Sequence, residues 1–282
     1  MSKTSLIFRQ PGTKPDISAW AQGLFRHGYL NEFLSPKDFT ENSPMADLVT
    51  VAGGQTRFGG KNGEIIRSYG EAGVPGFIIE FGRMVPGTVM TLLNTKPWLP
   101  PGPLPSVRAI RFDLVIDPKP RGEDILVLGQ RPALDKVLDE AVTRLKDATG
   151  RRVIWRSHPN CWRLGLEPWQ PTATDEVSAR VTDDPGLGQK TKTDLQTDLD
   201  RAWITVTHSS LASLEGLLRG IPAVTHEEFV LSGVCTPLDR LEELHPFDED
   251  ATQEALNQFA WTIWSDEECR EGEAFEFLGS YI

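Results

Sequence analysis

The chain has 282 residues, 39% of them hydrophobic and 24% charged, with a formal net charge of -11. At roughly 150 residues per domain that length predicts two domains, with a core large enough to need no disulfide staples. The acidity excludes a protein that simply coats nucleic acid, but it is uneven: residues 1–120 carry 13 Lys/Arg against 10 Asp/Glu, and the remainder 16 against 30.

Cys161, Cys235 and Cys269 are odd in number and form no CxxC pair. Three reduced thiols are therefore expected, not a metal site or a disulfide framework. The start of the chain lacks the charged-then-apolar pattern of a signal peptide, and no apolar stretch reaches the roughly 20 residues of a bilayer span. The expected location is the cytoplasm, or the host cytoplasm for a viral protein.

In chain order, Ser5–Phe8 reads as a first strand, and residues 17–30 as a helix with Ile17, Trp20, Leu24 and, less neatly, Tyr29 on one side. Residues 46–51 read as a second strand that runs into the glycine-rich stretch 52–60. A helix over 64–72 and a strand over 74–80 complete a βαβ unit, which predicts a parallel sheet. Residues 84–122 are punctuated by prolines; within them 109–116 reads as a strand and 117–123 as an interdomain linker.

The second half is clearer. A buried-type strand over 124–130 is followed by a helix over 134–148, whose apolar face is Leu134, Val137, Leu138, Ala141, Val142 and Leu145 and which Gly150 stops. Next come a strand at 152–155 and a polar, aperiodic stretch, 163–198, that reads as a long surface loop or a partly ordered insertion. A strand at 202–206, a helix at 210–219, a strand at 221–224 and two helices over 252–264 and 266–278 follow.

Four constellations carry candidate chemistry. The strand ending at Thr207-His208 meets a helix opened by Ser209 or Ser210, where a serine N-cap and the helix dipole offer N–H groups to an anion; an ordinary capped helix is the plain alternative. Glu215 falls on the flank of that helix, where a carboxylate near the core wants partners such as ribose hydroxyls, or else pairs with Arg219 or reaches solvent. His158-Pro159 follows a neighbouring strand, with Arg156 two residues earlier, and can donate to a base or phosphate. Gly53-Gly54 and Gly59-Gly60 match neither GxGxxG nor a P-loop; they allow a close backbone approach or form a flexible turn. Glu80 and Arg83 end a first-half strand, as a general base and an acceptor or phosphate contact or as a solvated strand end.

Segments 153–159 (Val-Ile-Trp-Arg-Ser-His-Pro) and 206–224 (Val-Thr-His-Ser-Ser-Leu-Ala-Ser-Leu-Glu-Gly-Leu-Leu-Arg-Gly-Ile-Pro-Ala-Val) resemble glycosyltransferases of the GT-B fold. The likeness is to the bacterial sialyltransferase and Kdo-transferase-like group, including capsule polysaccharide enzymes. His158-Pro159 matches that group's HP motif, which holds the nucleotide, and Ser209-Ser210 its SS motif, which holds the phosphate. Glu215 falls where many GT-B enzymes place a ribose-binding carboxylate. Strand 124–130 and the tail 261–278 extend the resemblance, which is also similar to glycosyltransferase-like proteins of tailed bacteriophages. It covers residues 120–280; before them, the family's acidic D/E-D/E-G motif has no match.

The resemblance implies an α/β protein of two Rossmann-like domains whose parallel sheets face a central cleft. Residues 1–120 would bind the acceptor, 121–265 the nucleotide-sugar donor, and a helix over 266–282 would pack back toward the first domain. It implies a hexosyl- or pentosyltransferase with no cofactor and no metal requirement. The leading implied acceptor is a hydroxymethylated pyrimidine in bacteriophage DNA. A surface or capsule polysaccharide is the second reading, and a catalytically degenerate nucleotide- or partner-binding protein the third.

Overall fold

The computed structural model describes residues 3–9, 17–40, 42–53, 60–81, 85, 87–93, 98–130, 136–158, 169–178 and 190–281. In chain order the elements are β1 (Lys3–Arg9), α1 (Ser18–Arg26), β2 (Tyr29–Leu34), β3 (Leu48–Ala52), α2 (Gly60–Glu71), β4 (Gly76–Phe81), β5 (Thr88–Leu93) and α3 (Val107–Arg111). They continue with β6 (Asp124–Leu128), α4 (Leu138–Thr149), β7 (Val153–Arg156), β8 (Glu176–Val177), α5 (Lys190–Arg201), β9 (Ala202–Thr207), α6 (Ala212–Leu217) and β10 (Ala223–Thr225). The last are β11 (Thr236–Pro237), α7 (Glu249–Ala260), β12 (Ile263–Ser265), α8 (Asp266–Glu271) and α9 (Glu273–Leu278). The chain divides into two compact units, Met1–Asp113 with Asn257–Ile282, and Leu114–Leu256.

The first unit holds a sheet of order β12-β5-β4-β3-β1-β2. β1 to β4 are parallel, whereas β5 runs antiparallel to β4 and β12 antiparallel to β5. The sheet is thus mixed, because β5 lies too soon after β4 for the helical crossover a parallel neighbour needs. Ile7, Leu48, Phe77 and Ile79 build the core with Trp20 and Leu24 of α1 and Trp264 and Leu278 from the end of the chain. Trp20 packs edge-on to Phe77 with ring centroids 5.1 Å apart.

Several expected elements differ here. The helix predicted over 17–30 stops at Arg26, and Tyr29 opens the edge strand β2. The strand predicted over 109–116 is in part the short helix α3, from which Arg108 reaches the end of the chain. The predicted helix over 252–264 ends at Ala260, and Ile263–Ser265 pairs with β5 as β12. Three residues have no period of their own, so pairing with β5 decides their state.

The second unit holds a wholly parallel sheet of order β11-β10-β9-β6-β7-β8. Its central strands are apolar at successive positions because both faces are covered. Ile125, Val127, Val153, Trp155, Ile204 and Val206 pack with Leu138, Val142 and Leu145 of α4. Leu126, Leu128 and Ile154 face the other way, onto Leu195 and Leu199 of α5. Gly150 caps α4 at φ 64°, a left-handed conformation suited to glycine. Val137, expected on the apolar face of α4, is instead 53% exposed. The stretch 163–198, expected as a long surface loop or a partly ordered insertion, contributes β8 and most of α5. The residues expected as a linker are pinned to this unit: the Asp117 and Lys119 N–H groups donate to the Leu218 and Arg219 carbonyls at 2.8 and 3.0 Å. Cys235 and Cys269 are free, buried thiols whose burial pushes them up to about 12; Cys161 lies outside the described residues.

Candidate functional site

The order of the second sheet sets where a ligand can sit. The chain leaves β6 toward β7 and β8 on one side, then returns as β9 on the other side of β6 and continues to β10 and β11. The β6/β9 boundary is therefore the topological switch point, and open parallel sheets bind ligands outside the carboxyl ends of the strands there. Along that edge the chain places His226 after β10, His208 and Ser209 after β9, Gln130 after β6, and His158 after β7.

A polar cluster fills the switch point. Thr207 Oγ1 donates to the Leu128 carbonyl at 2.8 Å and ties the two strand ends together. Gln130 Oε1 accepts both the Ser209 N–H at 3.1 Å and the Ser209 hydroxyl at 2.9 Å. The Ser209 hydroxyl also lies 3.0 Å from His208 Nδ1. Proton accounting fixes the tautomer. The backbone N–H sets the orientation of the Gln130 amide, and a carbonyl oxygen only accepts. The single Ser209 hydroxyl proton is thus spent on Gln130, so Ser209 Oγ accepts from His208 Nδ1–H. His208 Nε2 then carries the lone pair.

His208 is buried and stacks on His226, ring centroids 4.3 Å apart and planes 10° from parallel. Burial, with the nearby His226, holds the His208 ring down at about 4, so it is neutral at neutral pH. Gln130 was not among the residues expected at the site. Its signal was its place just after the first strand of the unit, the one element sure to border the switch point.

The expected phosphate loop is built differently from the sequence expectation. The helix begins at Ala212 and not at Ser210, and its N-cap residue is Leu211, with no side-chain cap. Ser210 still tethers the start: its Oγ accepts the Ala212 N–H at 3.3 Å, and its own N–H donates to Thr207 Oγ1 at 3.2 Å. The N–H groups of Ser209, Ser210 and Ala212 are thus satisfied internally, and it is side chains that lie at the switch point.

The remaining candidates separate. Arg156 is buried on the α5 side, where its Nη1 donates to Asp198 Oδ2 at 2.8 Å and to Ser178 Oγ at 3.3 Å. Asp198 also accepts from the Ser178 hydroxyl at 2.6 Å. A guanidinium needs such a partner once out of water, and Arg156 ties β7 to α5 and the residue after β8. Glu215 Oε2 accepts from Gln196 Nε2 of α5 at 2.8 Å, which holds it at the α5–α6 contact, while Arg219 reaches Gln196 and Asp200. His158 is half-buried at the end of β7. Pro159 lies outside the described residues.

In the first unit, β1 is the switch strand, flanked by β2 and β3. Gly53 follows β3 at φ 121°, a backbone conformation that a side chain rarely adopts, and its N–H donates to the Ile79 carbonyl at 3.2 Å. Glu80 is half-buried near the end of β4, opposite Met90 of β5. Gly53 and Glu80 thus share one carboxyl edge. Gly54 and Arg83 lie outside the described residues. Among the described residues no helix is long and apolar enough to cross a membrane.

No protein-family model and no curated protein matches this chain. Among solved structures, KpsC of Thermosulfurimonas dismutans, a beta Kdo 2,4 transferase, matches with a TM-score of 0.52 at 10% identity over 91% of this chain and 90% of that one. The same organism's KpsC, beta Kdo 2,7 transferase, gives 0.49 at 12% identity over 100% of both chains. HepE of Anabaena, in complex with UDP and glucose, gives 0.33 at 10% identity over 99% of this chain and 100% of that one. At such identities the likeness is one of fold, and the chain has the GT-B fold of two Rossmann-like α/β domains with parallel-dominated sheets.

Proposed function

We propose that the protein is a glycosyltransferase that takes a sugar from a nucleotide-sugar donor bound at the carboxyl edge of the second sheet. One observation carries this reading: the Gln130–Ser209–His208 cluster, with Ser209 and His208 buried, stands at the β6/β9 switch point of a GT-B fold. The fold match to a Kdo transferase supports sugar transfer as the chemistry. Ser209 would contact the donor diphosphate by turning its hydroxyl proton from Gln130 Oε1 to a phosphate oxygen. His158 would border the base. Electrostatic stabilisation of the leaving phosphate is the main catalytic contribution in this reading. Glu80, on the carboxyl edge of the first sheet, would serve as the base that activates the acceptor hydroxyl, with Gly53 leaving room for the acceptor.

For the acceptor, a hydroxymethylated pyrimidine in DNA rests on the near-neutral charge of residues 1–120, with a bacterial surface polysaccharide as the alternative. Incubation with each acceptor and mass spectrometry of the products tells the two apart.

A panel of nucleotides and nucleotide sugars tested by thermal shift examines the donor site. A ligand present at 100 times its Kd adds about 2.7 kcal/mol, which raises Tm by a few degrees. Ser209→Ala is expected to weaken that ligand at least tenfold, about 1.4 kcal/mol. Failure of the whole panel to raise Tm would remove the reading.

A further inference from the structure

The edge that holds Ser209 carries a second group of side chains. His208, His226 and half-buried Glu228 present ligand-type atoms that all lie within 4.8 Å of one another. We infer that these three side chains form a binding site for one divalent first-row transition metal ion.

The supporting geometry is local and held by the backbone. His226 N–H donates to the His208 carbonyl at 3.0 Å, and Phe229 N–H donates to the His226 carbonyl at 2.9 Å. The strand end and the turn after it therefore keep both imidazoles and Glu228 together. The proton positions suit coordination. His208 Nε2 carries a lone pair because Nδ1–H is committed to Ser209, which Gln130 orients in turn. A hydrogen bond on the far nitrogen that fixes tautomer and ring orientation is what metal-binding histidines generally have. His226 Nδ1 accepts the Glu228 N–H at 3.3 Å, so this nitrogen also carries a lone pair, and a long bond is all it gives up.

Ligand nitrogens and oxygens about 2.1 Å from one tetrahedral ion stand about 3.4 Å from each other. The stacked rings turn about their Cβ–Cγ bonds to reach that spacing. Two imidazoles and one carboxylate suit zinc, cobalt or manganese, whereas magnesium and calcium prefer an all-oxygen shell. The three ligands carry one negative charge, so the bound ion leaves a net positive site with open positions. On the reading of a nucleotide-sugar donor, those positions lie beside Ser209, where a diphosphate oxygen would complete the shell. This inference departs from the sequence expectation of no metal.

Equilibrium dialysis against Co2+, with the visible absorption of the bound ion as a second readout, tests the site without any nucleotide. The full chain is expected to bind one equivalent with bands of low coordination number. His226→Ala and Glu228→Gln are each expected to weaken binding at least tenfold, while exposed His245→Ala leaves it unchanged. Should His226→Ala fail to fold, Glu228→Gln at the half-buried position decides. Absence of specific binding by the full chain, or equal affinity in Glu228→Gln, overturns the site. A failed nucleotide panel with intact Co2+ binding would sink the donor reading and leave the metal site standing.

Discussion

Asp198→Ala is expected to destabilise the second unit by about 3–5 kcal/mol, the cost of leaving a buried charge without its partner. Arg156 and Asp198 have side chains only 7% exposed each, and their 2.8 Å pair joins β7 to α5. Removing the carboxylate strips the guanidinium of its counter-charge where water cannot replace it. The reverse experiment separates charge from packing: the double change Arg156→Met with Asp198→Leu is expected to recover most of the loss, because an apolar pair of similar volume is often no worse than a buried ion pair. Urea unfolding gives the magnitude, and hydrogen exchange in β6 and β7 assigns it to this unit. A loss below 1 kcal/mol in Asp198→Ala would mean that Arg156 does not depend on this pair.

Glu268 is expected to contribute about 3 kcal/mol to the first unit at neutral pH, lost on acidification. Burial pushes its carboxyl up, but hydrogen bonds from Arg108 and from the Ser265 N–H outweigh that and hold it down at about 2, from 4.5. Arg108 Nη1 lies 2.8 Å from Glu268 Oε1 and the Ser265 N–H 2.8 Å from Oε2. Arg108 also donates to the carbonyls of Ala260 and Ile263 and sits over the Trp264 ring at 4.1 Å. One side chain of α3 thereby fastens α7, β12 and α8. The folded-state value lies below the unfolded one. The contribution is therefore complete above about pH 4.5 and is lost as pH falls from there toward 2, at about 1.4 kcal/mol per pH unit. Glu268→Gln should lower stability at pH 7 and flatten this acid limb. A variant whose stability falls between pH 4.5 and 2 as steeply as the parent's would refute the assignment.

The sequence shows the second unit far better than the first, and the reason is physical. Strands covered on both faces, such as β6, read as unbroken apolar runs, and α4 carries its period openly in Leu138, Ala141, Val142 and Leu145. By contrast α5 has only Leu195 and Leu199 to mark a buried face among Thr, Asp and Lys. It therefore reads as loop, and the partner of Arg156 stayed hidden with it. β12 and α3 owe their states to contacts more than 150 residues away in sequence, such as Arg108 to Ile263, which no local pattern records.

The site was legible in the same uneven way. The strand ends that bear His158, His208 and Ser209 follow from motif and strand order. The roles of individual side chains depend on who donates to whom. Ser210 reads as an N-cap yet spends its N–H on Thr207, and Gln130 reads as an ordinary residue after a strand yet orients Ser209.

The central claim is that the carboxyl edge of the second sheet, at the β6/β9 switch point, receives the donor. The most direct measurement is a crystal structure with the nucleotide that gives the largest thermal shift. Its phosphates are expected within hydrogen-bond distance of Ser209 and its ribose and base between His208 and His158. A nucleotide bound elsewhere on the chain, with Gln130, His208 and Ser209 untouched, would contradict it.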